Sequence, residues 1–452
     1  MSASEFSLAA RTHVTTSLLV LGTAAAALLA GVLAAEDSRL ALGFAFVPLL
    51  WLLLTSAIAR LLVVSFGALL TFQSTSDASA LKAAYLFCFV VSLTGALLSI
   101  RRDRSAAPGH RIRMVIAAGG VILLLVGLSF VPALLYGTPL IDWLRDGFSY
   151  LFFGGSVLLA IDYARHISAR TLTAVFVSCG ALATASFFLS WIDRRGIGEV
   201  GTTELGFSSF FLSIALIAFA MAKTQWPGSH RFRWSVVAAL AMLALFATAT
   251  RSSLVAVVAV ILVLILAPTS LGARALGASM VVAVTVGIGM LALQGGVASD
   301  LIDVEKTSAR LATVTSAVTD PSSDQGLQGR RFQTRGAMEL FKTAPVMGVG
   351  PGHPIPGSGY SNTTEGYFVD TPAGFLAKFG VVGVIGLLAF LWLLRRFLAE
   401  SKARATPAGL GLIAFLAAII VWSVLGTPFD DKGTGLALGL LLALTVQETE
   451  SR

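Results

Sequence analysis

Charged residues are scarce in this sequence of 452 residues: Asp, Glu, Lys and Arg together make up 12% of it. Soluble domains carry roughly a quarter charged residues, whereas 56% of the residues here are hydrophobic and the mean hydropathy is +0.85. A chain with this composition is not a soluble enzyme. Because helices satisfy their own backbone hydrogen bonds inside a bilayer, the composition predicts an all-α polytopic membrane protein.

Cysteine is also rare, since Cys88 and Cys179 are the two in the chain, and both fall within apolar runs. The sequence therefore has neither a disulfide framework nor zinc-ligand spacing. It also lacks a Walker loop, a dinucleotide fingerprint and a metal-ligand cluster, so we expect no cofactor, no metal and no nucleotide chemistry. The net charge of +8 comes from short basic clusters between apolar runs, which indicate membrane topology and not a nucleic-acid partner.

Apolar runs predict about 12–14 transmembrane helices. A helix needs about 20 apolar residues to cross a bilayer, so the runs 59–74 and 148–163 are short and either could be half-inserted. The first run ends in a sequence that resembles a signal-peptide cleavage site, but we interpret it as a retained helix. The predicted spans are 15–35, 39–57, 59–74, 81–100, 113–135, 148–163, 170–192, 206–222, 232–249, 252–268, 274–294, 372–396, 408–426 and 433–447.

The basic clusters also predict orientation. Loops 101–113, 164–170, 230–234 and 395–404 carry the densest positive charge and belong in the cytoplasm. The remaining polar segments then face outside: 136–147, 193–206, Arg251, 295–371 and 429–433. We accordingly divide the chain into an N-terminal bundle (1–294), an extracytoplasmic loop carrying the candidate site (295–371) and C-terminal helices (372–452).

Arg251 stands between two apolar runs that are each long enough to cross a bilayer. A charge at that depth is costly unless an ionic group pairs with it, which makes Arg251 a candidate functional residue. The alternative is an arginine that snorkels from a helix end to the interface.

Residues 329–343 predict a short amphipathic helix within the long outer loop. Arg331, Arg335, Glu339 and Lys342 fall on one face, and apolar residues cover the other. Because the arginine fork matches phosphate oxygens, this stripe indicates a diphosphate site. A solvated surface, or a stripe resting on anionic lipid head groups, is the alternative.

A segment dense in glycine and proline, PVMGVGPGHPIPG, follows this helix. Such a segment predicts a tight loop whose N–H groups can approach an anion closely. It contains His353, the histidine that the topology places outside, and histidine titrates in the range where a general base is useful.

The order of these motifs resembles the O-antigen ligase and polymerase superfamily. The matching pieces lie between residues 240 and 396, and the preceding half resembles the family only in being a series of spans. The pieces are Thr250-Arg251-Ser252-Ser253-Leu254, Gly329-Arg330-Arg331, Pro345 to Gly352, and Phe375 to Gly383.

The resemblance implies a metal-independent membrane glycosyltransferase of the GT-C type. Its donor would be a glycan on undecaprenyl or another polyprenyl diphosphate, its acceptor a lipid or a glycan, and its site would face outside the bacterial inner membrane. By similarity, Arg251, Arg330, Arg331, Arg335 and Lys342 would bind the diphosphate and stabilise the charge on the leaving group.

The sequence departs from the family at the mouth of the span that follows the loop. Family members carry His-Asn or Asp-Asn there, where this chain has Val369-Asp370-Thr371. The general base could be Asp370, His353 or, less well placed, Glu204. This departure leaves ligase, polymerase and wall-glycan transferase activities open.

Two other functions compete with the transferase. A transporter or flippase of lipid-linked glycans would show paired halves and charges at mid-membrane. Apart from Arg251 the predicted spans contain almost no charge, and no two-half symmetry is visible, which favours an enzyme. A transglycosylase of the shape-and-division type shares the helical architecture, but its acidic loop motifs are missing.

Replacing Arg251 distinguishes the enzyme from the flippase. In Arg251→Ala we expect product formation to stop while the lipid-linked donor accumulates on the outer leaflet, because a transferase acts after the donor has crossed. Leaflet-specific labelling of the donor glycan in cells measures this. Accumulation on the inner leaflet would indicate a flippase instead.

Overall fold

The fold is described here from a computed structural model of the chain. It describes residues 38–71, 80–102, 109–194, 209–226, 228–247, 251–267, 325–358, 365–366, 369 and 371–450. The predicted spans 15–35 and 274–294 lie outside these residues.

The described residues form thirteen α-helices and one pair of two-residue strands. The helices are α1 (Ser38–Thr55), α2 (Ala57–Thr71), α3 (Ala80–Arg102), α4 (His110–Leu135), α5 (Leu140–His166), α6 (Ala169–Arg194), α7 (Ser209–Thr224), α8 (Arg231–Ala247), α9 (Arg251–Leu266), α10 (Gln325–Thr343), α11 (Pro372–Glu400), α12 (Pro407–Leu425) and α13 (Lys432–Glu450). The strands β1 (Ile355–Pro356) and β2 (Glu365–Gly366) pair antiparallel, and two 3₁₀ turns, Ala403–Ala405 and Pro428–Asp430, flank α12.

Six of these helices are long and apolar enough to cross a membrane: α3, α4, α5, α6, α11 and α12. Helices α1 and α2 add a seventh span if they are taken as one pair, which is bent by 116°. Helices α7 and α9 contain shorter apolar segments. The all-α polytopic fold predicted from composition is therefore confirmed.

Helix α5 corrects one predicted boundary. The short run 148–163 belongs to a helix of 27 residues that begins at Leu140, so most of the segment 136–147 is helical and not a loop. The reason is local, because Asp142 lies in the first turn, where an acidic side chain interacts favourably with the helix dipole.

The same helix forms the centre of the bundle. Its side chains are buried on every face from Gly147 to Ala164, as expected for a helix surrounded by other helices. Helix α13 approaches it closely through Gly435 and Gly439, whose absent side chains leave room for Phe153 and Ser156 of α5. Small residues four apart permit such contact between membrane helices.

A buried ion pair joins α2 to the second half of α5. The Arg60 guanidinium donates two hydrogen bonds of 2.8 Å to the Asp162 carboxylate, and both side chains are almost fully buried. A third nitrogen donates to the carbonyls of Leu53 and Leu54, the last turn of α1. The expectation that the spans hold almost no charge apart from Arg251 is therefore wrong, because charges of opposite sign from two predicted spans meet in the interior.

The described parts of three of the basic loops, 101–113, 164–170 and 395–404, lie at one end of the bundle, as the sequence predicts. There, His110 is 3.6 Å from Glu400, and Gln447 donates to the carbonyl of Ile167. Asp146 lies at the other end of α5, 16 residues from Asp162, or about 24 Å along the helix. Which end faces the cytoplasm stays a prediction.

Helix α11 is broken at Gly380, which has φ 60° and ψ −157°. The carbonyls of Ala377 and Lys378 cannot accept from the next helical turn, and they accept instead from Val349 (2.8 Å) and Gly350 (3.1 Å). In return, the N–H groups of Val381 and Val382 donate to the carbonyls of Pro345 and Val346. The loop from Pro345 to Gly350 therefore replaces the missing helical hydrogen bonds, as a broken helix in a membrane requires.

Gly380→Ala is expected to lower the stability of the protein. A side chain is strained at this positive φ, which costs about 1–3 kcal/mol, and its Cβ would collide with the carbonyl of Val346. The thermal midpoint of the purified protein in detergent measures the loss.

Gly120→Ala is the matched control, because Gly120 lies in α4 and nothing lies within 4 Å of the position of its Cβ. We expect that variant to unfold at the wild-type temperature or slightly above it. Equal midpoints for the two variants would contradict the role assigned to the break.

Candidate functional site

Three glycines shape the loop that follows α10. Gly348, Gly350 and Gly352 have φ values of 70°, 86° and 78°, a region that L side chains rarely adopt. A Cβ at these positions would collide with Lys378, Ala133 and Asp142 respectively. The alternating glycines let the backbone pass between α11, α4 and α5, which explains their spacing in the sequence.

At least three N–H groups of this loop donate within the protein itself. Those of Val349 and Gly350 donate to the broken helix, and that of Gly352 donates to Asp146 Oδ2 at 2.7 Å. For Gly352 the acceptor is a side-chain carboxylate of α5, and binding of a substrate anion by this loop stays a prediction.

A buried ionic cluster lies beneath the loop. Lys378 Nζ, on the first part of α11, donates to Asp146 Oδ1 at 2.8 Å and to Asp430 Oδ2 at 3.3 Å. The Tyr150 hydroxyl donates to Asp430, and the Lys378 ammonium lies 5.8 Å from the centre of the Tyr150 ring. The exposed fractions of the Lys378, Asp146 and Asp430 side chains are 1%, 11% and 4%. Charges this well buried are stable only when paired and hydrogen-bonded, as they are here.

Asp431 adjoins this cluster in the connection between α12 and α13. Its carboxylate accepts from the N–H of Gly433 at 2.9 Å, so it caps the first turn of α13. Burial raises the pKa of Asp431 to about 7, although the Gly433 hydrogen bond and the Lys432 charge oppose that shift.

His353 follows directly after Gly352 and is half-buried. Its ring packs edge-on against Tyr136 with 5.8 Å between centroids, and its Nδ1 lies 3.4 Å from the hydroxyl of Thr138. The histidine is thus placed between the glycine loop and the connection from α4 to α5. A role for it as a base stays a prediction.

Helix α10 confirms the amphipathic helix predicted before the loop, with a start four residues earlier, at Gln325, and the expected end at Thr343. Arg331, Arg335, Glu339 and Lys342 are exposed. The opposite face packs against the start of α11, and the residues in that contact are Ala337, Met338, Leu340, Ile355, Val369, Ala373 and Ala377.

A groove of about 370 Å³ runs along the exposed side of α10. It is lined by Arg330, Arg331, Thr334, Arg335 and Met338. Three arginines border this groove, and an arginine guanidinium can bind an anion with several oxygens, since it presents its donors in a planar fork.

The position of α10 is fixed by contacts with the segment after the loop. Gln333 is fully buried and donates to the carbonyl of Ser358 at 2.7 Å. Gly336 lies so close to Pro356 that a Cβ there would collide with its carbonyl. The arginine groove and the glycine loop therefore belong to one packed unit around the start of α11.

The side chains of three predicted site residues lie outside the part of the chain that the structure describes. Asp370 and Glu204 lie outside the described residues. Arg251 is the first residue of α9, as the sequence predicts, but its side chain is not described. Their assigned roles, like the division into three segments, stay predictions.

The sequence did not predict a role for four residues of this cluster: Lys378, Asp146, Asp430 and Tyr150. Lys378 is a single cation in an apolar run, the same signal that drew attention to Arg251. The predicted topology places Asp146 and Asp430 on the outer side. Their contact with Lys378 was not predicted, because the three residues are distant from one another in sequence. In the described part of the chain, no three His, Cys, Asp or Glu side chains are grouped to hold a metal ion.

Residues 236–391 of this chain match the family model for O-antigen ligase. The match spans 156 of 452 residues, about a third of the chain, and includes α9, α10, the glycine loop and most of α11. No curated protein matches the chain in sequence. The family match confirms the resemblance found in the motifs and supports an O-antigen ligase-like membrane glycosyltransferase.

Lys378→Met is expected to destabilise the protein strongly. It leaves Asp146 and Asp430 buried without their cation, and removing one partner of a buried ion pair costs about 3–5 kcal/mol. Unfolding of the purified protein by sodium dodecyl sulfate in mixed micelles measures the change.

Arg396→Ala serves as the control, because Arg396 pairs with Glu400 on the surface of the same helix, with both side chains at least a third exposed. Such pairs contribute about 0.3–0.5 kcal/mol. Comparable losses of stability in the two variants would show that burial does not make the Lys378 ion pairs more important for stability than a surface ion pair.

Proposed function

We propose that the protein transfers a glycan from a polyprenyl-diphosphate donor to a lipid or glycan acceptor. The proposal starts from the match of residues 236–391 to the family model for O-antigen ligase. The reaction takes place on the extracytoplasmic face of a bacterial inner membrane and needs no metal. A chain with several apolar helices that reach from one end of the bundle to the other suits a substrate whose polyprenyl part stays in the bilayer.

The observation that carries this proposal is the arginine groove on α10. Arg330, Arg331 and Arg335 surround a space large enough for a diphosphate, on a helix packed against the start of α11. As the glycosidic bond breaks, negative charge develops on the diphosphate leaving group, and fixed cations stabilise that charge. Lys342 extends the same exposed face, and Arg251 is the further cation that the resemblance assigns to the donor.

The second half of the reaction requires a base for the acceptor hydroxyl. The hydroxyl oxygen attacks the anomeric carbon, the bond from that carbon to the diphosphate oxygen breaks, and the base takes the hydroxyl proton. His353 is the described candidate, on the loop that lies against α11, with Asp370 and Glu204 as the alternatives. An imidazole that titrates near neutral pH fits this task.

A transporter of lipid-linked glycans is the competing function. The expected scarcity of charge in the spans was one argument against a transporter. The charges buried near both ends of α5 remove that argument, because transporters also contain such charges. The family match favours the transferase, and the experiment below separates the two.

Purified protein in lipid is expected to transfer glycan from a polyprenyl-diphosphate donor without nucleotide and with EDTA present. In Arg331→Ala/Arg335→Ala we expect kcat/KM for the donor to fall about 100- to 1000-fold, the usual cost of removing groups that stabilise developing charge. Arg251→Ala should lose transfer similarly, and His353→Ala and Asp370→Asn then identify the base. Product is measured by the mass of the extended acceptor.

Arg404→Ala is the control for a general loss of positive charge. Arg404 is exposed in the predicted cytoplasmic loop at the far end of the bundle, and we expect wild-type transfer. If the protein transfers glycan from no such donor and is active in a lipid-scrambling assay, the proposed transferase function is contradicted and the transporter is favoured.

A further inference from the structure

The carboxylate of Asp146 is shared between two parts of the candidate site. One oxygen, Oδ1, accepts from Lys378 on α11, and the other, Oδ2, accepts from the backbone of Gly352 in the glycine loop. Both hydrogen bonds are short, at 2.8 Å and 2.7 Å, and the carboxylate is largely buried. Asp146 therefore connects the central helix α5 with the broken helix and with the residue that precedes His353.

Lys378 holds the same loop in a second way. Its own carbonyl accepts from Gly350, and the carbonyl of Ala377 accepts from Val349. The loop is thus attached to α11 by its backbone at residues 349 and 350, and to α5 by the backbone N–H of residue 352, which donates to the Asp146 side chain. Between these attachments stands Pro351, which has no N–H to donate and is buried.

We propose that Asp146, held by Lys378, is a positioning residue that fixes the loop from Gly348 to His353 and so places His353 at the site of transfer. This inference rests on the proposed function and adds Asp146, which lies outside both the quoted motifs and the family match. Asp146 itself is not expected to touch the substrate, because both of its oxygens are engaged within the protein.

The two aspartates of the cluster offer a matched test, because an asparagine can replace one of them better than the other. At position 146 both neighbours, Lys378 Nζ and the Gly352 N–H, are donors with no lone pair to offer. The two donors approach different carboxylate oxygens, and an asparagine has an NH₂ group in place of one of these oxygens, so one donor at this position would face another donor. At position 430 the neighbours are Lys378 and the Tyr150 hydroxyl, and that hydroxyl can turn to accept from an amide.

Asp146→Asn and Asp430→Asn therefore remove the same charge from the same cluster and each leaves Lys378 with one carboxylate. Only the first disturbs the attachment of Gly352. The comparison separates a role in placing the loop from a general effect of charge or stability.

Loop exposure can be measured without substrate by thiol labelling. The chain has two cysteines, Cys88 and Cys179, and both are buried in helices. Val349→Cys adds a reporter at a fully buried position in the loop. In this background we expect Asp146→Asn to raise the rate of labelling of residue 349 by a water-soluble maleimide about tenfold or more, since losing a charge-assisted hydrogen bond favours local opening. In Asp430→Asn the rate should stay near that of the parent.

Kinetics supply the second readout, measured without the reporter. In Asp146→Asn we expect kcat for transfer to fall about 100-fold, because a misplaced catalytic group costs that much, while KM for the donor changes less than about threefold. Glu448→Gln is the activity control, since it takes a carboxylate from a partly buried pair with Lys223 at the opposite end of the bundle. That variant should keep the wild-type kcat.

Equal labelling of residue 349 in the two asparagine variants would overturn the proposal. So would labelling of Cys88 and Cys179 together with residue 349 in Asp146→Asn, because the whole bundle would then have opened and not the loop alone. A tenfold difference in labelling with no transfer from any polyprenyl-diphosphate donor has a different meaning. It supports the loop contact and overturns the proposed function.

Discussion

The exchange of backbone hydrogen bonds at Gly380 is the contact on which the candidate site depends. A helix that breaks within a membrane protein leaves N–H and C=O groups without partners, and lipid offers none. Here two carbonyls and two N–H groups of α11 are paired with the loop from Pro345 to Gly350. The loop therefore completes the hydrogen bonding of α11, and these bonds fix the position of His353, which follows the loop.

The described interior of the bundle contains few charged side chains, and Arg60, Asp162, Lys378 and Asp146 are each paired with a side chain of opposite charge. Arg60 and Asp162 join α2 to one end of α5, and Lys378 joins α11 to the other end through Asp146. Removing both charges of such a pair can leave stability unchanged, but removing one is costly. The pairs thus specify which helices are neighbours more than they add to stability. The exposed arginines of α10 lack this burial and remain accessible to an anion.

The sequence predicted well what depends on local pattern. The all-α polytopic class, the amphipathic α10 with its end at Thr343, and the grouping of three basic loops follow from composition, periodicity, helix-stop residues and the distribution of charge. The beginning of α5 was misjudged because the polar residues near Asp142 suggested a loop, although an acidic residue such as Asp142 suits a first helical turn. The Lys378 cluster could not be predicted, because its members come from α5, α11 and the connection before α13. Sequence spacing does not show which helix ends meet.

The ion pairs at the two ends of α5 also bear on how the protein fits a bilayer. Membrane helices commonly adjust to thicker or thinner lipid by tilting or sliding past one another. Helix α5 is fixed near one end to Arg60 and near the other to Lys378, and the small residues of α13 lie closely against its middle. A slide by one helical turn would separate both charged contacts at once. The ion pairs therefore hold α5 in register with α2 and α11, so a mismatch with the bilayer is met by tilting of the bundle as a whole or by a change in lipid thickness.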